Sequence, residues 1–193
     1  MSEVKKNLVS VVIVGALVAV GCSRESEPVA EEVPAVEAPA AAPMVAAAEI
    51  QSRADLAISG SISFTQAEPD APVVVTAHFE GAGEALHGLH VHDVGDCSAE
   101  DFTSAGGHFN PLGVPHGGPE DTERHAGDLG NIECHQDGEC HLQIESDLLT
   151  VEEGPGSVVG RAVILHEKRD DLVSQPTGAA GSRLACGVIE LQS

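Results

Sequence analysis

The chain has 193 residues, which is enough for one domain of ordinary size, and it carries 31 Asp and Glu residues against 9 Lys and Arg. The resulting formal net charge of −22 argues against nucleic acid as a partner, because binding to a phosphate backbone depends on Lys and Arg. Aromatic residues make up 2% of the chain, so few of the anchors that are enriched at protein interfaces are present. Either a monomer or a homodimer is compatible with this composition.

The N-terminal segment is typical of an export signal. Two lysines precede the apolar run 8–20, which has the length of a signal-peptide core and is short for a membrane span. The run ends in the sequence AVGC at 19–22, which resembles a bacterial lipoprotein signal. This pattern predicts that residues 1–22 are the signal and that Cys22 becomes the lipid-bearing N-terminus. The alternative is an ordinary cleaved signal with an incidental cysteine.

Residues 23–47 are rich in Ala, Pro, Val and Glu, as in EPVAEEVPAVEAPAAAP. Such a composition cannot bury enough apolar surface to fold, so we interpret 23–47 as a disordered tether and 48–193 as the folded domain. A flexible chain of about 25 residues spans roughly 25–30 Å. The tether would hold the domain just clear of a membrane surface, and we expect an exported lipoprotein of the cell envelope or periplasm.

The rest of the chain predicts an all-β domain. Short runs rich in β-branched residues recur between Gly, Pro and Asp breaks, and no stretch keeps a helical period over three turns. These runs predict a sandwich or barrel of about eight strands at 48–52, 55–66, 72–81, 85–92, 128–133, 139–146, 157–166 and 185–192. Two loops interrupt the pattern, at 95–128 and 167–182. Structureless loops as long as the first are usually functional in compact domains.

Four cysteines remain beyond the signal, and an even number in an exported chain predicts two disulfides. Cys134 and Cys140 flank the Asp-Gly turn signal of ECHQDGECH, which favours a cross-strand bridge between them. Cys97 would then pair with Cys186, closing a loop that a chain-entropy estimate values at roughly 4–5 kcal/mol. The alternative is a zinc site that combines these cysteines with the two histidines of the same segment.

The segment GLHVH at 88–92 places two histidines one residue apart in a predicted strand. Side chains two residues apart point to the same face of a strand, so His90 and His92 share one face and Val91 points to the other. This is either a chance pair of surface histidines or part of a metal site.

The other candidate ligands favour the metal site. The long loop and its end carry His108, His116, His125 and Asp128, and another predicted strand ends in His166. Each histidine alone would most often be an exposed or hydrogen-bonded loop residue. Several imidazoles with one carboxylate, however, suit zinc and copper, whereas calcium or magnesium would take mostly oxygen ligands.

Six motifs follow one another along the domain: GLHVH, SAGGHFNP, PHGGP, RHAGDLGN, HEKRDDL and GSRLACGVI. Together they resemble the successive motifs of the copper/zinc superoxide dismutases, from about residue 60 to residue 189. The segment between Cys97 and His108 resembles that of bacterial members of the family. The resemblance implies an eight-stranded antiparallel Greek-key β-barrel with two long functional loops. It also implies copper and zinc as cofactors, and superoxide as the substrate that is converted to dioxygen and hydrogen peroxide.

The same resemblance implies a role for each ligand. Copper would be bound by four histidines, namely His90, His92, His108 and His166. Zinc would be bound by His108, His116, His125 and Asp128, so that His108 bridges the two metals. A closed shell gives zinc a structural and electronic role, whereas copper bound by nitrogen donors can cycle between oxidation states. His108 would release its copper side and carry a proton during that cycle.

Basic residues are rare in the domain, and three of them lie near its C-terminus. The match of GSRLACG implies that Arg183 lies at the open side of copper, where its guanidinium can hydrogen-bond an anion. Lys168 and Arg169 would add local attraction for the anionic substrate. The alternative for these two residues is that they are simply solvated charges.

Further positions take structural roles by the same resemblance. Asp170 would link a copper histidine, either His90 or His92, to the zinc histidine His116. Cys97 and Cys186 match the family disulfide. We expect His87 to be structural and three histidines that match no family ligand to lie on the surface: His78, His135 and His141.

The sequence thus predicts an exported, membrane-anchored superoxide dismutase that protects the cell envelope. Two other functions are compatible with the same motifs. One is a copper-buffering protein without useful turnover, and the other is a structural module that binds only zinc.

Overall fold

The computed structural model describes residues 42–193, so the predicted signal, with Cys22, and most of the predicted tether lie outside the described residues. The described part contains a single 3₁₀ turn, Thr103–Ala105, and ten β-strands. None of its helical segments is long and apolar enough to cross a membrane. The strands are β1 Met44–Glu49, β2 Gln51–Ser52, β3 Ser59–Gln66, β4 Val73–Glu80, β5 Ala85–His92, β6 Asp128–Cys134, β7 Glu139–Ser146, β8 Ala162–His166, β9 Arg183–Val188 and β10 Glu190–Leu191.

The ten segments form one antiparallel sheet that closes on itself. Its strand order is β10-β1-β3-β4-β7-β6-β5-β8-β9-β2. Only Ile50 separates β1 from β2, and only Ile189 separates β9 from β10, while β1 pairs with β10 and β2 with β9. The ten segments therefore amount to eight strands with two interruptions, and the first strand pairs with the last. The prediction of an eight-stranded antiparallel barrel is confirmed.

The connection from β5 to β8 has Greek-key topology. Strands β5, β6 and β7 are neighbours in sequence order, and β8 returns to pair with β5 on its other side. This gives the spatial order 8-5-6-7 that defines a Greek key. As a result, β5 and β8, which are distant in sequence, lie side by side and bring their side chains to one surface.

The barrel interior is filled by apolar side chains that occupy every second position along a strand. On β4 the side chains of Val73, Val75, Ala77 and Phe79 are buried, and every second residue between them is at least partly exposed. Burial of such a Val or Phe side chain contributes about 1.5–3 kcal/mol each. The barrel is thus held together by an apolar interior, and polar positions are left on its outer surface.

Strand β5 departs from this alternation because both of its faces are covered. Leu89 and Val91 belong to the barrel core, whereas His90 and His92 lie on the outer face and are fully buried as well. The loop 93–127 covers that outer face. It is held there by a small apolar cluster outside the barrel, formed by Phe102, Ala105, Ala162, Ile164 and Cys186. The predicted functional loop is therefore a packed layer on the sheet.

Both predicted disulfides are present. Cys97 is bonded to Cys186, which ties the loop 93–127 to β9. Cys134 is bonded to Cys140, and the two residues are direct partners in the β6–β7 register. With these cysteines oxidised, no thiolate remains for the alternative zinc site, and that alternative is wrong.

The first strand begins before the predicted domain boundary. Residues 44–47 belong to β1, although their composition assigns them to the tether. Ala46 and Ala48 are 0% and 3% exposed and pack into the barrel core, where β1 lies between β3 and β10. Alanine is depleted in strands, so an Ala-rich strand carries little signal in the sequence.

Candidate metal centre

Four histidines meet on the outer face of the barrel, and we call them the four-histidine cluster: His90, His92, His108 and His166. His90 and His92 come from β5, and His166 ends β8. His108 comes from the covering loop, and its backbone pairs with that of His92 in an isolated β-bridge. Their potential ligand nitrogens lie within 4.8 Å of one another, and all four side chains are buried. Nε2 of His92 lies 3.4 Å from Nε2 of His166.

A second cluster, the His₃Asp cluster, is formed by His108, His116, His125 and Asp128. Asp128 begins β6, and its carboxylate lies at the centre of three imidazoles. Its Oδ1 lies 2.9 Å from Nδ1 of His108 and 3.3 Å from Nδ1 of His125, and its Oδ2 lies 3.0 Å from Nδ1 of His116. Three Nδ1 atoms and one carboxylate thus converge on one point.

His108 belongs to both clusters. Its Nδ1 donates a hydrogen bond to Asp128, while Nε2 on the other side of the ring is buried without a hydrogen-bond partner in the described part of the chain. The ring stacks on that of His90 with 3.9 Å between centroids. One imidazole therefore offers a nitrogen to each of two adjacent sites.

The unpaired nitrogens are the test of whether metal ions fit here. Four buried ring nitrogens of the two clusters have no hydrogen-bond partner among residues 42–193: Nδ1 of His90, Nε2 of His108, Nδ1 of His116 and Nδ1 of His125. Each such atom costs about 1–3 kcal/mol if nothing binds it. Imidazole nitrogen is a good ligand for copper and zinc, and the second cluster adds the one carboxylate. The donor set fits both metals.

Asp170 holds one histidine of each cluster in place. Its Oδ2 accepts a hydrogen bond of 2.7 Å from Nε2 of His90, and its Oδ1 lies 3.0 Å from Nε2 of His116. The sequence leaves the copper-side partner open between two histidines, and the structure shows that it is His90. His92 instead hydrogen-bonds through Nδ1 to the backbone carbonyl of Gly106, at 2.9 Å. Such bonds fix the tautomer and turn the other nitrogen toward the metal.

Burial sets the protonation of three histidines of the four-histidine cluster, namely His90, His92 and His166. It lowers the pKa of His90 to about 4, against the hydrogen bond with Asp170, and it holds the pKa of His166 lower still. The pKa of His92 is also well below its usual value, first because of burial and then because of His108. These imidazoles are neutral at pH 7, which is the form that binds a metal.

Two residues of the His₃Asp cluster, Asp128 and His116, have the opposite balance. Burial would raise the pKa of Asp128, but the hydrogen bond with His108 and the close contact with His116 hold it far below the usual range of a carboxyl group. Burial would lower the pKa of His116, but the carboxylates of Asp128 and Asp170, each 3.0 Å from one of its ring nitrogens, override it and raise that pKa to about 9. A metal that binds here must therefore displace a proton from His116.

Arg183 lies beside the four-histidine cluster. It begins β9 opposite His166 in the β8–β9 register, and its guanidinium donates hydrogen bonds to the carbonyls of Phe102 and Gly106. After burial and the neighbouring histidines, its positive charge is a further cause of the lowered pKa values of His92 and His166. The structure thus places Arg183 close to the histidines.

The remaining predicted positions lie outside both clusters. His87 is buried, and its Nδ1 hydrogen-bonds to the carbonyl of His166 at 2.9 Å. Its Nε2 has no partner in the described chain, and nothing in the structure explains this. Lys168 and Arg169 are exposed, as are the three histidines expected on the surface, namely His78, His135 and His141.

Three supporting residues are not among the site residues that the sequence predicts. Asn131 on β6 hydrogen-bonds to both backbone groups of Asp170, at 2.7 Å and 3.0 Å. Gln175 does the same for His116, at 2.8 Å for each bond. Gly178 leaves room for the carboxylate of Asp170. Asn131 and Gln175 contact residues that are 39 and 59 positions away along the chain, so spacing does not reveal these contacts.

We expect Gly178→Ala to weaken metal binding by about 10–100-fold, the usual effect of losing an outer partner of a ligand. A Cβ at this position would lie 1.8 Å from Oδ1 of Asp170 and 2.7 Å from Nε2 of His116, so it would separate the two. Zinc and copper affinities are measured by competition with chelators. Gly113→Ala is the matched control, because Gly113 has a similar φ of +66° but nothing within 4 Å of the added Cβ. Equal affinities in both variants would contradict the prediction.

The comparisons with known proteins agree with this geometry. A family model described as copper/zinc superoxide dismutase (SODC) matches residues 58–189. The chain is also similar to "Superoxide dismutase [Cu-Zn] 5" of Dictyostelium discoideum, with 42% identity over 140 residues, which cover 69% of this chain and 91% of that protein. The chain therefore belongs to the copper/zinc superoxide dismutase family, and it is an oxidoreductase that uses copper and zinc.

Proposed function

We propose that this superoxide dismutase works outside the cytoplasm, is held at a membrane by a lipid on Cys22, and protects the cell envelope. The observation that supports the chemistry best is His108, which offers one nitrogen to each of two buried clusters. The overall reaction converts two superoxide anions and two protons to dioxygen and hydrogen peroxide. Membership of the family favours this enzyme over a copper-buffering protein or a zinc-only module.

The ligand assignment follows the two clusters. The four-histidine cluster would hold copper and the His₃Asp cluster would hold zinc, with His108 shared. The donor chemistry supports this division, because a carboxylate and three imidazoles would supply the four protein ligands that a structural zinc site requires. Copper, when bound, would supply the one-electron chemistry of both half-reactions.

The protein side of the mechanism is proton delivery. Nε2 of His108 is the ring nitrogen on the side of the four-histidine cluster, whereas Nδ1 faces the His₃Asp cluster, 2.9 Å from Oδ1 of Asp128, and would be the nitrogen that binds zinc. His108 can therefore take up a proton at Nε2 and pass it to the forming peroxide while its other nitrogen keeps the ring in place. Asp170 keeps the rings of His90 and His116 fixed during this exchange.

Arg183 would hold the substrate anion. Two of its guanidinium nitrogens are fixed on carbonyls of the covering loop, so the charged group is positioned before substrate arrives. A guanidinium has five N–H donors, and those not used on the loop can hydrogen-bond an anion. The chain carries a net charge of −22, so this local positive charge, with Lys168 and Arg169, opposes an otherwise repulsive field.

We expect Cys22→Ala to move the protein, and cyanide-sensitive superoxide removal with it, from the membrane fraction to the soluble fraction. The reason is that lipid attached to Cys22 would be the anchor. Export is supported by the two disulfides of the domain, which form in oxidising compartments. Ser26→Ala, four residues further on, is the control and should stay in the membrane fraction. A Cys22→Ala variant that remains with the membrane would overturn the anchor.

A further inference from the structure

We propose that the chain has a third metal site, on the exposed outer surface of the barrel, formed by His78, Glu139 and His141. The site binds a divalent transition-metal ion and prefers Cu²⁺ to Zn²⁺. It is separate from both buried clusters, and it uses two of the histidines that match no ligand of the family.

The geometry of the two strands brings these side chains together. His78 on β4 is the direct partner of His141 on β7, and their ring centroids are 4.3 Å apart. Glu139 lies two residues before His141 on the same face of β7, and its Oε2 is 3.2 Å from Nε2 of His141. One ligand atom from each of the three residues lies within 4.8 Å of the others.

These separations are close to what a metal ion requires. Bonds of about 2.0–2.2 Å to imidazole nitrogen and carboxylate oxygen place neighbouring ligand atoms about 2.8–3.1 Å apart in the tetragonal coordination that Cu²⁺ prefers, and about 3.3 Å apart in a tetrahedral site. The His141 and Glu139 side chains are 51% and 49% exposed, so small rotations bring the atoms to that distance without disturbing the core. Water can complete the coordination shell.

The backbone beneath the site is fixed. Strands β4 and β7 pair without interruption over eight residue pairs, from Val73 with Ser146 to Glu80 with Glu139. The Cys134–Cys140 disulfide joins β6 to β7 between the two β7 ligands. Only side chains have to move when the ion binds, so little conformational entropy is lost.

The local charge also favours a cation. Glu80 is the direct partner of Glu139, and Glu133 on β6 is the direct partner of His141. Within residues 42–193, no Lys or Arg forms an ion pair with any of these three glutamates. Like charges placed directly opposite each other destabilise a sheet, and a bound dication removes that cost.

The proposed site is distant from the two buried clusters, and its ligand types determine which metal ions it prefers. Glu133 lies five residues along β6 from Asp128, which is about 17 Å of strand. Two imidazoles favour the later first-row metals, and affinity at such a site is greatest for Cu²⁺ in the divalent series. A calcium or magnesium ion would require more oxygen ligands.

The test is a titration of the full-length protein whose two buried sites are already filled with copper and zinc. We expect equilibrium dialysis to show one further Cu²⁺ per chain, with a new electron paramagnetic resonance signal from nitrogen-coordinated Cu²⁺. His78→Ala and His141→Ala should each weaken this binding by at least tenfold. Gln143→Ala, an exposed residue two positions further along β7, is the matched control and should bind as the parent protein does.

Three results would overturn the proposal. One is the absence of a further Cu²⁺ equivalent in the parent protein. Another is equal binding in the two histidine variants and the Gln143→Ala control. The third is tighter binding of Zn²⁺ than of Cu²⁺, which would contradict the stated preference. The readout is stoichiometry and affinity at the third site, so it does not depend on the dismutase activity.

Discussion

His166→Ala is expected to abolish superoxide dismutation while the protein keeps its zinc. His166 belongs only to the four-histidine cluster, where its Nε2 lies 3.4 Å from Nε2 of His92. The His₃Asp cluster does not include it. Losing an outer partner of a ligand already costs about 10–100-fold, so losing a ligand should reduce turnover by more than about 100-fold.

The measurement is superoxide decay after pulse radiolysis, together with metal analysis of the same sample. His125→Ala is the reciprocal control, because His125 belongs only to the His₃Asp cluster and its loss should reduce zinc content first. Retained turnover in His166→Ala would show that the copper assignment is wrong. Loss of zinc with retention of copper would show that the two clusters are assigned the wrong way round.

Arg183→Glu is expected to reduce the rate of dismutation by about 100-fold with both metals still bound. Electrostatic attraction at a charged cleft changes association rates by about 10–10³-fold, and the substitution reverses the positive charge that Arg183 places beside the four-histidine cluster. It also removes the N–H groups that can hydrogen-bond the anion. Because the charges are partly exposed, the difference from the parent protein should shrink as ionic strength rises.

Arg183→Lys separates charge from geometry in this experiment. Lysine keeps the positive charge but lacks the planar fork that binds the carbonyls of Phe102 and Gly106. We expect an intermediate rate, measured by the same decay assay over a range of salt concentrations. An unchanged rate in Arg183→Glu, with copper and zinc retained, would remove Arg183 from the mechanism.

Local patterns predict a large part of this structure. Alternation in GLHVH correctly places Val91 in the core and His90 and His92 together on the other face. The Asp-Gly signal correctly predicts the β6–β7 hairpin and the disulfide between its strands. These predictions are correct because each depends on residues that are neighbours in sequence or on the two-residue period of a strand.

Long-range contacts account for what the sequence does not reveal. Gln175 holds the backbone of His116 across 59 residues, and no spacing rule connects the two. The choice of His90 as the partner of Asp170 depends on where the loop after β8 returns to the sheet. The strand at residues 44–47 is not predicted for another reason, because short alanine side chains give no alternation between apolar and polar positions.

The carbonyl of Gly106 accepts hydrogen bonds from Nδ1 of His92 and from Nη2 of Arg183. One backbone oxygen therefore sets the orientation of a metal ligand and of the residue that attracts the substrate. A substitution in the covering loop that shifts this oxygen changes both at once, so changes in the loop cannot alter one property without the other. Relatives that lack either the histidine at position 92 or the arginine at position 183 should vary more in sequence at the other position. Engineered changes in substrate attraction should be made on β9 and not in the loop.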